Sequence, residues 1–186
     1  MTEKEWSDTE IIQRFAEQST RQKAFNHLIR KYQVRLYWHI RRMVISHADT
    51  DDVLQNSLIK IWHALPNFRG DAALYTWIYR ITTNETLSFL RNKQRVNFYA
   101  WEDTDNDFAC NLADDPYFDG SKLQQRLQNY IMQLPNKQRL VFNLKYFDEM
   151  KYDEIAAITG GSVGSLKASF HHAVTKIKQL MRNDLI

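Results

Sequence analysis

The apolar residues of this chain return every three or four positions along most of its length, and no stretch makes a convincing case for the two-residue alternation of a half-buried strand. That period argues against a sheet and calls for helices that each bury one stripe. Three prolines and five glycines among 186 residues leave long stretches unbroken, as an all-α chain requires. The periodicity fails from Val96 to Ser121, where polar, acidic and turn residues take over and Asp114-Asp-Pro116 and Asp119-Gly120 act as breakers. The expected architecture is two small helical domains, residues 1–95 and 122–186, joined by a linker, residues 96–121.

Charge follows the same division. Residues 1–95 carry 15 Lys and Arg against 10 Asp and Glu, the linker has 7 acids and no base, and residues 122–186 have 10 bases against 5 acids. Two basic blocks joined by an acidic strap suit polyanion binding, and the strap could itself occupy a basic groove in the free protein. The single Cys110 excludes an internal disulfide and a thiolate metal cluster, which suits a reducing cytoplasm. No apolar run approaches the roughly 18 residues that a membrane span needs, and the first residues lack a secretory signal. A cytoplasmic protein without membrane insertion is expected.

In order along the chain, Ser7-Asp-Thr-Glu10 fits a capping box opening a short helix that buries Ile11, Ile12 and Phe15. A longer helix follows, with Phe25, Leu28, Ile29, Tyr32, Leu36, Ile40, Met43 and Val44 inward and Arg30, Lys31, Arg35, Arg41 and Arg42 on a charged, solvated face. Asp49 is the expected N-cap of the third helix, with Asp51 and Asp52 complementing its dipole, and Pro66 closes it. Asp71 is expected to cap a fourth helix that reaches Asn92 and buries Leu74, Trp77, Ile78, Ile81, Leu87 and Leu90. Tyr75 and Tyr79 lie one turn apart on another face of it, near Arg80 and Asn84. Exposed, the two rings would form a platform for unpaired bases, worth roughly 1 to 3 kcal/mol per base.

Beyond the linker the stripes define four more helical segments. The third, Tyr152 to Ile158, leads through Thr159-Gly-Gly161 to Ser162, the N-cap of a long last helix. A short helix, a glycine turn and a capped second helix form a helix-turn-helix, whose second helix can enter the DNA major groove. Val163, Leu166, Phe170, Val174, Ile177 and Leu180 face inward on that helix. Ser165, Lys167, Ala168, Ser169, His171 and His172 are left outward, with chemistry suited to base edges. Catalytic, metal and cofactor sites are not expected: no phosphate loop, nucleophile elbow or zinc spacing is present, and adjacent His171 and His172 diverge by about 100° on a helix.

Two stretches carry a family resemblance. One is Asp51-Asp-Val-Leu-Gln-Asn-Ser-Leu-Ile-Lys-Ile-Trp-His-Ala-Leu-Pro-Asn-Phe-Arg-Gly-Asp71, followed by Tyr75-Thr-Trp-Ile-Tyr-Arg-Ile81 and Asn84. The other is Leu134-Pro-Asn-Lys-Gln-Arg-Leu-Val-Phe-Asn-Leu-Lys-Tyr-Phe147, with Tyr152-Asp-Glu-Ile-Ala156 and Ser162-Val-Gly-Ser-Leu-Lys167. In this order they resemble the second and fourth conserved regions of bacterial RNA polymerase sigma factors of the extracytoplasmic-function (ECF) class. The resemblance implies a transcription initiation factor, not an enzyme, whose partners are core RNA polymerase and promoter DNA, with an anti-sigma factor as a further partner.

It also implies residue roles. Asp51, Asp52, Val53, Gln55 and Asn56 would hold the clamp helices of the polymerase's largest subunit. Asn67, Phe68, Arg69, Gly70 and Asp71 would capture a flipped minus-10 base, and Tyr75, Trp77, Tyr79, Arg80 and Asn84 would help open the duplex. Ser162, Ser165, Lys167, Ala168, Ser169, His171 and His172 would read the minus-35 element. Two other readings of the residues are a stand-alone helix-turn-helix regulator and a protein that sequesters polymerase without reading DNA.

Overall fold

The computed structural model describes residues 5–100 and 122–184, with side chains placed for 5–95 and 124–184; residues 101–121, which hold all seven acids of the expected linker, lie outside these. All described regular elements are helical. The first unit holds α1 (Asp8–Ala16), α2 (Arg21–Val44), α3 (His47–Ala64), a 3-10 turn at Leu65–Asn67 and α4 (Leu74–Ala100). The second holds α5 (Lys122–Met132), α6 (Asn136–Tyr146), α7 (Tyr152–Thr159) and α8 (Val163–Asn183).

Local chemistry sets most of these ends. The Ser7 hydroxyl accepts from the Glu10 amide at 3.2 Å while the Ser7 amide donates to the Glu10 carboxylate at 2.8 Å, closing the capping box. The cap of α3 is not Asp49 but Ser46, whose hydroxyl accepts from the Asp49 amide at 3.3 Å. The chain turns earlier than the acids suggest because Ile45 takes a φ of 71° with its N–H still bonded to the Arg41 carbonyl. Asp49 then sits in the first turn, where its carboxylate accepts from Lys93 of α4 at 2.5 Å. Asp71 is likewise not a cap. The fourth helix begins at Leu74, and Asp71 faces Arg69 at 3.5 Å in the loop before it. The helix also continues past Asn92 to Ala100, into residues expected to be linker.

The two units share a core. One apolar cluster runs from Ile11 and Phe15 through Leu28, Leu36, Ile40, Ile61 and Ile78 into Leu140, Leu144, Ile155, Ile158 and Leu166 of the second unit. A smaller one, around Ile131, Leu134, Phe142, Ala173 and Ile177, belongs to the second unit alone. α7 lies against α4, and α6 lies against α2.

Polar chemistry marks the same junction. A helix leaves its last four carbonyls without intrahelical partners. At the end of α2 those of Arg41 and Val44 accept from the amides of Ile45 and Ser46, both at 3.0 Å. The other two are served from the second unit. The Met43 carbonyl accepts from the Arg139 guanidinium at 3.1 Å, and the Arg42 carbonyl from the Asn143 amide nitrogen at 3.3 Å and that of Gln128 at 3.5 Å. Arg42 itself reaches Asp148 at 3.3 Å and lies 4.3 Å above the Phe147 ring. The solvated face expected for Arg41 and Arg42 is therefore corrected: Arg41 is buried, and the side chain of Arg42 is turned into the junction.

Candidate functional site

Three surfaces collect the residues singled out in the sequence. On the first turns of α3, Asp51, Asp52, Gln55 and Asn56 are exposed side by side, and His47 stands 3.6 Å from Asp51. Val53, grouped with them, points the other way and is 1% exposed, so it supports this surface from below instead of forming part of it. Next to them α2 and α3 enclose an open groove of about 470 Å³ lined by Phe25, Ile29, Leu54, Leu58, Ile59 and Trp62. Ile59, 49% exposed, was not singled out in the sequence. The doublet Leu58-Ile59 is the signal for it, because Ile59 lies about 100° round the helix from Leu58, at the edge of the stripe and beside the acidic face.

The second surface is the loop between the 3-10 turn and α4. Asn67, Arg69, Gly70 and Asp71 are exposed, and Gly70 turns the chain at a φ of 79°, where a side chain would be strained. Phe68 is half-buried with its ring 5.1 Å from that of Trp77, so these two aromatics form the footing of the loop. Arg80 and Asn84 are exposed on the following turns of α4.

The exposed platform expected from Tyr75 and Tyr79 is overturned in this arrangement. Tyr79 is fully buried, Tyr75 is half-buried, and their rings lie 4.5 Å apart against the second unit. Thr76 and Thr83 are buried as well, Thr83 bonded at 2.9 Å to the Nε2 of the enclosed His39. The cause is a second apolar face on α4. One face packs within the first unit while the tyrosine face meets α7, so the rings that look solvent-facing in the first unit alone become junction core. Burial pushes both phenols above their ordinary value, Tyr79 the further of the two, and holds them neutral.

The third surface is the start of α8. Gly160 ends α7 at a φ of 73°, its N–H bonded to the Ala156 carbonyl at 2.8 Å. Ser162 caps α8 by accepting from the Ser165 amide at 3.2 Å, and the Ser165 hydroxyl donates back to the Ser162 carbonyl at 2.9 Å. Both hydroxyls are thus engaged in starting the helix. Ser162, Ser165, Lys167, Ala168, His171 and His172 are exposed and Ser169 is half-buried, while Leu166 and Ala173 anchor the opposite side. Among the described residues no group of three or more His, Cys, Asp and Glu could hold a metal ion, and no helix is long and apolar enough to cross a membrane.

A helical two-unit chain that ends in a capped helix-turn-helix has a motif found in many DNA-binding proteins. Comparison with known proteins narrows that class. Residues 28–96 match the family model for sigma-70 region 2, and residues 124–177 match that for sigma-70 region 4. The chain is 34% identical over 160 residues to the ECF RNA polymerase sigma-E factor of Escherichia coli K12, covering 82% of this chain and 83% of that one. It is 28% identical over 191 residues to the RNA polymerase sigma-H factor of Pseudomonas aeruginosa, covering 94% of each. Among solved structures it is similar to CnrH in complex with the cytosolic domain of CnrY, at a TM-score of 0.70 and 25% identity, covering 95% of this chain and 98% of that one. Its fold also matches RpoE of Bartonella quintana, solved with the anti-sigma factor NepR, at a TM-score of 0.72 and 22% identity, covering 86% and 98%. The chain belongs to the ECF sigma factors of the sigma-70 family, which are non-enzymatic transcription factors.

Proposed function

We propose that this sigma factor binds core RNA polymerase through the exposed acidic face of α3 and directs it to promoters carrying two elements that its two domains read separately. The observation that carries this reading is the presence, in order in one chain, of both sigma-70 regions over residues 28–96 and 124–177. Residues 1–95 hold the polymerase and the minus-10 element, residues 122–186 hold the minus-35 element, and the chain contributes binding energy with no catalytic residue of its own. The exposed Asp51, Asp52, Gln55 and Asn56 form the polymerase contact, and the loop from Asn67 to Asp71 takes a base of the melted strand. Lys167, Ala168, His171 and His172 meet base edges in the minus-35 groove, where the side-chain chemistry matches guanine acceptors and the thymine methyl. A protein regulator of the anti-sigma kind is a further partner under this reading.

The double variant Asp52→Ala, Gln55→Ala tests the polymerase contact. Both residues are exposed, so the fold should survive while affinity for core polymerase falls by about tenfold or more, equivalent to about 1.4 kcal/mol or more. Equal affinity for parent and variant in a titration with labelled chain would contradict the assignment.

A further inference from the structure

The turn between α2 and α3 brings together two residues ten positions apart. Ile45 takes a φ of 71°, a left-handed conformation that a β-branched residue rarely adopts, and folds the start of α3 back against α2. Tyr37 of α2 then meets His47, the first residue of α3, with its hydroxyl 2.9 Å from Nδ1 and the two rings edge to face at 5.9 Å. On the far side of the imidazole, Nε2 stands 3.6 Å from Asp51, one turn along α3. The Tyr37 hydroxyl is also bonded to the guanidinium of buried Arg41. The four groups form one line from a buried cation to an exposed carboxylate.

Protons order that line. A guanidinium only donates and an ionised carboxylate only accepts. The Tyr37 oxygen therefore accepts from Arg41, its own proton goes to Nδ1, and the imidazole keeps its proton on Nε2, pointing at Asp51. Both ends demand the same tautomer. At 3.6 Å the last contact is electrostatic, longer than a direct hydrogen bond, and a small rotation of the Asp51 side chain closes it.

We propose that His47 and Tyr37 are positioning residues for the polymerase contact: the line from Arg41 holds the Asp51 carboxylate in one orientation before polymerase arrives. This rests on the reading of the acidic face of α3 as that contact. The Asp51 side chain is 57% exposed, and a carboxylate so placed otherwise samples several rotamers. Ordering such a side chain during association weakens binding, and ordering it beforehand avoids that loss. The backbone beneath Asp51 is fixed by other means. Ser46 caps α3, and Asp49 in its first turn is held by Lys93 of α4. Loss of His47 therefore releases one side chain and leaves the helix start in place.

The test measures the affinity of the full chain for core polymerase in a double-mutant cycle. Tyr37→Phe keeps the ring and removes the hydroxyl, and His47→Ala removes the imidazole. Each should weaken binding by about threefold to tenfold. In an Asp51→Ala chain, itself weakened, the same two changes should cost less than about twofold, because the carboxylate they orient is gone. His47→Gln should recover most of what His47→Ala loses, since its amide nitrogen can donate to Asp51 at the same helical spacing. Nitrogen-15 NMR of the free parent at pH 8 should find the His47 ring proton on Nε2 and Nδ1 bare. Equal losses with and without Asp51 would show support of the fold alone and overturn the proposal, as would a proton on Nδ1 or no loss in His47→Ala. If Tyr37→Phe unfolds by circular dichroism, the His47 variants and the tautomer decide. Polymerase binding that Asp51→Ala leaves intact would remove Asp51 from the contact and overturn the proposal together with that part of the reading beneath it. No association of the parent chain with polymerase would overturn the sigma reading as well.

Discussion

Tyr79→Ala should destabilise the protein by about 3 to 5 kcal/mol, the range for truncating a buried aromatic ring, whereas Tyr79→Phe should be within about 1 kcal/mol of the parent. The ring is fully buried where the two domains meet, so its removal opens a cavity between elements that cannot simply collapse together. The hydroxyl is enclosed beside that of Tyr75, which is its hydrogen-bonding neighbour. Taking it away thus removes a desolvated group and one weak bond. Urea unfolding of the three proteins makes the comparison, and a Phe variant as damaged as the Ala variant would show that the hydroxyl, and not the ring, carries the stability.

Arg139→Ala should lower stability by about 2 to 4 kcal/mol, or roughly 5 to 15 °C in melting temperature for a chain of this length. One guanidinium donates to three main-chain carbonyls, those of Met43, Met132 and Leu134, and is only 8% exposed. It ties the end of α2 to the α5–α6 turn at once. Its truncation leaves acceptors without donors in a region that water cannot easily enter. Arg139→Lys should recover little, because a single ammonium cannot serve two directions as a planar fork does. Burial pushes the guanidinium down to about 10. A base whose folded value lies below its unfolded one costs stability while it is charged. That cost is in force below pH 10 and fades only above it, so neutral and mildly alkaline solutions should give the same destabilisation in the variant. Differential scanning calorimetry at pH 7 and 9 measures this, and a variant as stable as the parent at either pH would contradict the arrangement.

How much of this was legible in the sequence depended on how local the cause was. The box at Ser7 and Glu10, the glycine turn at Gly160-Gly161 and the Ser162 cap are each set within a few residues, and each could be read directly. The stripes of α2 and α8 follow from period alone, and the sigma family from two ordered motifs. What escaped lies at the domain junction. Tyr75 and Tyr79 sit outside the stripe that α4 shows its own domain, so nothing nearby indicates that α7 covers them. Arg42 looks like a member of a charged face for the same reason: its neighbours Asn143 and Asp148 are about a hundred positions on. The cap of α3 was misplaced because three aspartates outweigh one serine in a reading of charge, and because the turn before it uses Ile45, a residue type rarely found at positive φ. In the candidate site, exposure along α3 was legible from spacing, which puts Val53 in the buried stripe; only the family motif had grouped it with the exposed residues.

The most direct test of the central claim is to reconstitute this chain with core RNA polymerase, transcribe genomic DNA from its own host, and map the 5′ ends of the transcripts. The account predicts start sites that appear only when the chain is added and that share two upstream elements at one fixed separation. Lys167→Ala should weaken the start sites through the farther element and Asn84→Ala through the nearer one. A folded, polymerase-bound chain that yields no start sites of its own would contradict the account.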